Sequence, residues 1–195
     1  GRFLYVAADL YRSPLATDAV DATVMIRVLH HLVDVPRAFD QIARATRPGG
    51  TFVLEFANKR HVKNVLRYLF GRGVNPFDRE PYEFAELHYD FHPAWVTRRL
   101  LDAGLAPRER LSVSNLRSDL LKRILPTSLL VRIDGVLQRV TAPVTPGASV
   151  FVRAKVAKRG PEQLASEAQL FRCPSCGHEP LVPVCGGLRC DICGS

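Results

Sequence analysis

All five cysteines of this 195-residue chain lie between Cys173 and Cys193. Four of them form two Cys-x2-Cys pairs, Cys173 with Cys176 and Cys190 with Cys193, and each pair is followed by a glycine, Gly177 and Gly194. The full pattern is C-x2-C-x13-C-x2-C. Each Cys-x2-Cys turn presents two sulfurs to one ion, and the glycine permits the tight knuckle. Tetrahedral zinc takes four such soft ligands, although this separation is slightly shorter than the common pattern. The spacing therefore predicts a structural zinc site held by Cys173, Cys176, Cys190 and Cys193. Cys185 is expected to be a spectator or a buried thiol, and His178 is an alternative ligand. Four thiolates leave no open position for catalysis, so the expected role is to hold together a module too small for its own core. Cysteines grouped for a metal also imply a reducing, cytoplasmic setting.

Candidates for a group that takes up a proton in a reaction are His31, Glu55, His88 and His92, with His30 beside the first. A ring of aromatics, Tyr82, Phe84, Tyr89, Phe91 and Trp95, lies close to the last two histidines in sequence. These aromatics could wall a pocket, and a hydrophobic core is their commoner fate.

The elements that must position these groups are legible from periodicity. Phe3 to Ala8 is a short apolar run ending at Asp9 and predicts a buried strand. Ala22 to Leu29 is β-branched and apolar on both faces, as in a central parallel strand covered by helices on each side. Asp34 caps a helix with Pro36 in its first turn, and Val35, Ala38, Phe39, Ile42 and Ala43 form one apolar stripe. Arg47-Pro48-Gly49-Gly50 ends that helix and turns the chain, and Thr51 to Phe56 is the next strand. Strand, helix, strand in this order predicts a right-handed βαβ crossover.

Farther on, Lys59 to Arg72 reads as a basic amphipathic helix with Val62, Val65, Leu66, Leu69 and Phe70 on one face. Pro93 opens a helix closed by Gly104. Arg108 to Leu116 reads as a strand, Ser118 to Val140 as two short helices broken at Pro126, and Ser149 to Val156 as a final strand. A polar stretch with a Gly-Pro pair supplies a linker over residues 158–170, dividing residues 1–157 from the cysteine module at 171–195.

The balance of 27 Lys+Arg against 19 Asp+Glu favours anionic partners such as nucleic acid, a phospholipid surface or acidic metabolites. Arginine-rich composition by itself also fits a GC-rich genome. No stretch approaches the roughly 18 apolar residues of a membrane span, and the first residues lack a signal-peptide layout.

Residues Tyr5 to Phe56 resemble the class I S-adenosylmethionine-dependent methyltransferases, particularly the ubiquinone-biosynthesis-like subgroup. Four pieces carry the resemblance in the family's order: Ala8-Asp9-Leu10 with Ser13-Pro14-Leu15; Val20-Asp21-Ala22; Val28-Leu29-His30-His31-Leu32; and Arg47-Pro48-Gly49-Gly50-Thr51. The implied fold is α/β, a partial Rossmann-like sheet comprising strands three to seven of the family, with a small C-terminal zinc ribbon. The implied cofactor is S-adenosylmethionine. The resemblance places Asp9 against the adenine amino group and Leu10 on the purine face, with Arg27 and Val28 on the floor near the methionine part and His31 as a contact on the cofactor side. No catalytic residue is fixed by it; His31, His88 and His92 are candidates for a base.

The family's glycine-rich first turn and the acid ending its second strand do not occur in residues 1–195. The expectation is that this polypeptide is a fragment that holds the cofactor poorly alone. The cysteine module resembles zinc ribbons, including those of small methyltransferase-activating proteins. Methyl transfer to a small or lipid-like acceptor, with an anionic or membrane-surface substrate suited to the basic stretch, is the leading expectation. RNA methylation, or an RNA- or protein-binding adaptor built on the ribbon, is the alternative.

Overall fold

The computed structural model describes residues 3–116, 123–160 and 169–195. A first strand, β1 (Val20–Met25), leads through helix α1 (Val35–Ala45) into the long strand β2 (Thr46–Ala57). β1 and β2 pair in parallel, with Ala22 opposite Thr51, Thr23 opposite Phe52, Val24 opposite Val53 and Met25 opposite Leu54. The expected βαβ unit is therefore present. Asp34 caps α1 by accepting the Arg37 N–H at 3.1 Å, and Pro36 stands in the first turn. The buried stripe of α1 is Val35, Ala38, Phe39, Ile42 and Ala45, one turn-end residue away from the expected set.

β2 starts earlier than periodicity suggested. Val20 already pairs with Thr46, and the register then slips so that Ala22 meets Thr51. The Arg47-Pro48-Gly49-Gly50 stretch is thus an irregularity within the strand, not a turn before it. Gly50 is required there: a Cβ on it would lie 2.6 Å from Thr46 Cγ2, 2.8 Å from the Arg47 carbonyl and 2.9 Å from the Asp21 carbonyl.

After β2 come helix α2 (Val62–Leu69), a hairpin of β3 (Tyr82–Ala85) and β4 (His88–Asp90), and helix α3 (Pro93–Asp102). Strand β5 (Leu105–Val113), helix α4 (Thr127–Val140) and strand β6 (Ser149–Val156) follow. The main sheet runs β1-β2-β6-β5, with β6 antiparallel to both neighbours. The core includes Phe39, Phe52, Leu54, Phe56, Phe91, Val96, Leu100, Leu105, Val150 and Val152. Alternate residues of β2 and β6 supply it, as period-two geometry requires. The first of the two expected helical pieces, before Pro126, falls partly on residues 118–122, outside the described residues.

Two expectations change. Residues 3–8 form no strand and are exposed. An extended apolar run stays in a sheet only if its backbone groups find a ladder partner, and no described strand pairs with these residues. The 22–29 segment is also not covered on both faces. Met25 and Leu29 enter the core, whereas Val24, Ile26 and Val28 are exposed.

The cysteine module consists of two knuckles and a short hairpin, β7 (Val182–Val184) with β8 (Gly187–Arg189). It is fastened to the chain segment before β1. Leu15 makes a β-bridge with Phe171, Ala16 N–H donates to the Leu170 carbonyl at 2.9 Å, and Arg172 N–H donates to the Pro14 carbonyl at 2.7 Å. Of the expected linker, residues 161–168 lie outside the described residues. No helix among the described residues is long and apolar enough to cross a membrane.

Candidate functional site

Parallel strands β1 and β2 end side by side, and β6, running the opposite way, begins at the same edge. Ligands of open α/β sheets sit at such an edge, outside the carboxyl ends of parallel strands. A cleft of about 520 Å³ opens there, lined by Arg27, His30, Glu55, Phe84, His88 and Phe151 among others.

Glu55 is 7% exposed and lies near the end of β2. Its Oε2 accepts the backbone N–H of Arg27 at 2.9 Å, which ties the β1 exit to β2. Arg27 itself has φ of 59°, a left-handed conformation uncommon for a residue with a side chain. That kink sends the chain into the short 3₁₀ turn Leu29–His31, where Leu29 enters the core, His30 lines the cleft and His31 packs against the hairpin at Leu87 and His88. Ser114, which also lines the cleft, and Leu87, at the β3–β4 turn, have φ of 63° and 52°. Two such residues, Arg27 and Ser114, line this one cavity, and strained backbone of this kind clusters at functional sites.

The β3–β4 hairpin folds over this edge. His31 Nδ1 lies 3.1 Å from the Leu87 carbonyl, and the His31 and His88 ring centroids are 4.7 Å apart. His30 packs on His31 at 4.0 Å, and Phe84 meets the His88 ring edge-on at 5.9 Å. Burial, then the neighbouring His31, lowers the His30 pKa from its ordinary value; Glu55 acts in the opposite sense. His30 is thus held neutral over a wider pH range, with a ring nitrogen free to accept a proton.

The other sequence candidates are scattered. Asp9 is exposed and caps the 3₁₀ turn Leu10–Arg12, accepting the Tyr11 N–H at 2.9 Å, and Leu10 packs against the core. Neither lines the cleft. Val28 is exposed beyond β1. His92 is buried at the start of α3, where its Nδ1 accepts the Ala94 N–H at 3.1 Å. Burial lowers its pKa, and Arg60, Arg79 and Lys59 reinforce this. Of the five aromatics, Phe84 walls the cleft, Tyr82 lines a neighbouring cavity, and Phe91 and Trp95 stack in the core region at 5.5 Å. Val113, Ser149 and Phe151 were not anticipated. They reach the cleft because β5 ends and β6 begins at the same sheet edge.

The four predicted zinc ligands converge. Their sulfurs all lie within 4.8 Å of one another, with Cys173 to Cys193 at 3.4 Å and Cys176 to Cys190 at 3.5 Å. Zn–S bonds of 2.3 Å in a tetrahedron place sulfurs about 3.8 Å apart, so the set fits one ion. The knuckles close through Gly177 N–H to the Cys173 carbonyl and Gly194 N–H to the Cys190 carbonyl. Both glycines have positive φ, 79° and 76°. Hydrogen bonds from Ser195 and from Cys173 bring the Cys193 thiol down to about 6. Cys176 receives the His178 N–H, yet burial and the surrounding thiols push it up to about 12. Crowded sulfurs cannot all ionise together without a cation among them. Cys185 is exposed and outside the cluster.

Residues 2–54 match the family model described as a methyltransferase domain. The fold agrees: an S-adenosylmethionine-dependent methyltransferase from Mesorhizobium loti superposes with a TM-score of 0.50 at 18% identity, covering 76% of this chain and 67% of that one. A structure from Listeria monocytogenes, provisionally assigned to the same enzymes, gives a TM-score of 0.52 at 13% identity, covering 80% and 69%. A chain from the complex of the Haloferax volcanii Trm112 methyltransferase activator with a methyltransferase gives 0.49 at 19% identity, covering 78% and 61%. The chain therefore spans about three-fifths to two-thirds of the length of these structures. A search among curated proteins finds no match.

Proposed function

We propose that the protein transfers a methyl group from S-adenosylmethionine, and that the cleft beside Glu55 receives the acceptor. The observation carrying this reading is the parallel pairing of β1 with β2, which sets Arg27, His30 and Glu55 at one sheet edge within methyltransferase-domain sequence. Asp9 and Leu10 are assigned to the purine, and Arg27, Val28 and His31 to the methionine part. S-adenosylmethionine supplies an activated methyl group on a sulfonium, whose displacement needs an aligned nucleophile more than a powerful catalyst. Phe84 and Phe151 exclude water from the acceptor. His30, kept neutral by burial, or His88 across from it, takes up the proton that an O–H or N–H acceptor releases. Zinc, held by the four cysteines, has a structural part only.

The test is titration of S-adenosylhomocysteine into the protein. Weak binding, and its loss on Asp9→Ala, are expected. A protein that does not bind it at all would overturn the reading. Salt-dependent RNA binding without cofactor binding would replace it with the adaptor function.

A further inference from the structure

The segment from Lys59 to Phe77 contains Lys59, Arg60, Lys63, Arg67 and Arg72 and no Asp or Glu. Within it, α2 buries none of its residues, whereas α1, α3 and α4 each bury at least one. Its apolar side chains are nevertheless large. Val62, Leu66, Leu69, Phe70 and Phe77 are all exposed, Leu69 at 68% and Phe70 at 79%. Lys59 is spoken for: its Nζ is buried between Asp78 at 3.2 Å and the Glu80 carbonyl at 2.7 Å. Arg60 lies over the Phe77 ring at 5.8 Å. Lys63, Arg67 and Arg72 have no acidic partner among the described residues. Leu66, Phe70, Arg67 and Arg72 together line a shallow surface cavity of about 390 Å³.

Exposed aliphatic groups beside unpaired cations, without acids, match the requirements of an anionic bilayer surface. Apolar side chains enter the acyl boundary, and each nearby Lys or Arg adds electrostatic attraction to the anionic headgroups. RNA would engage the cations and could stack on phenylalanine, but it offers nothing to Val62, Leu66 and Leu69. We propose that the α2 surface docks the protein on anionic lipid, with Leu66, Leu69 and Phe70 below the phosphates and Lys63, Arg67 and Arg72 among them.

The surface continues toward the candidate site. Arg67 also lines a cavity of about 350 Å³ with His61, Tyr82 and Phe84, and Phe84 belongs to the cleft as well. A lipid-borne acceptor could thus approach the Glu55 cleft past the hairpin, a consequence that rests on the methyltransferase reading. The docking itself does not.

The experiment is co-sedimentation with vesicles of phosphatidylcholine alone and of phosphatidylcholine mixed with phosphatidylglycerol. Binding should require phosphatidylglycerol and weaken with salt. The pair Leu69→Glu and Phe70→Glu, and separately Lys63→Glu and Arg67→Glu, should each lower the partition coefficient about tenfold, with circular dichroism unchanged. Should either pair unfold, Phe70→Trp provides an independent readout, expected to be quenched by brominated lipid. No binding of the parent protein to phosphatidylglycerol vesicles, an unquenched Trp, or undiminished binding in folded variants would overturn the proposal. RNA binding without vesicle binding would do the same. Vesicle binding that fails while S-adenosylhomocysteine still binds removes only this inference.

Discussion

At the end of β2 the chain leaves the sheet through Asn58, whose side chain is almost wholly buried. Its Nδ2 donates to the Thr145 carbonyl at 2.7 Å and the Gly147 carbonyl at 2.8 Å, and its Oδ1 accepts the Arg60 N–H at 2.9 Å. One amide therefore joins the exit from β2 to the entry into β6, the two strands whose ends floor the cleft. Asn58→Ala should cost about 2–4 kcal/mol, because several backbone groups lose their partners where water cannot replace them. Urea denaturation measures this, and a loss below about 0.5 kcal/mol would show that these bonds are dispensable. At the same scale, His30 should titrate below the ordinary histidine range, since burial and the adjacent His31 disfavour its charged form. Methyl transfer that uses His30 as base should persist to mildly acidic pH and fall only as His30 is protonated. An NMR titration of its ring protons checks the direction, and an elevated value would remove His30 from that role.

Among the elements, the ribbon and the segment before β1 are coupled. Thr17 gives its N–H and its hydroxyl to the Glu179 carboxylate at 2.7 and 2.6 Å, and Arg172 Nε reaches the Ser13 carbonyl at 3.3 Å. Both ribbon residues lie next to the first zinc knuckle in sequence. Removing zinc with a chelator, or Cys176→Ser, should therefore unfold the knuckles and raise amide hydrogen exchange at residues 15–17, leaving β6 protected. Unchanged exchange at 15–17 would mean that the segment holds its shape without the ribbon. This coupling was not legible in the sequence, because it joins segments about 160 residues apart through backbone groups that carry no residue signature. The zinc ligands were legible, since a knuckle is a local pattern in which residue type and spacing specify the chemistry. So were α1 and β6, whose burial follows their periodicities. The start of β2 was misread because Pro-Gly-Gly usually ends an element, whereas here it fits a register slip in which Gly50 touches backbone. Val113, Ser149 and Phe151 were missed because only the antiparallel return of β6 brings them to the cleft edge.

Over the whole molecule, three imidazoles sit where charging them is unfavourable. Burial is the leading cause of the lowered pKa of His30, His61 and His92, and cationic neighbours add to it at His61 and His92. In the unfolded chain each binds a proton near its ordinary value of 6.5. Between that value and the lower folded values, the unfolded state holds more protons than the folded one, so stability rises with pH across this window. Acidification from neutral should accordingly lower the urea midpoint before the carboxylates begin to titrate. Asp90 works the other way at lower pH. Burial raises its pKa, although Asn64 and Lys59 pull against this, so its folded form binds a proton above the ordinary value of 3.8 and its stability contribution falls as pH rises there. The two effects occupy different windows, the histidine slope just below 6.5 and the Asp90 slope above 3.8. His61→Gln separates them, because His61 makes no contact in the cleft and its loss should flatten the upper slope alone. A urea midpoint that stays constant between neutral pH and about 5, or rises on acidification, would contradict the burial of these rings as titrating groups.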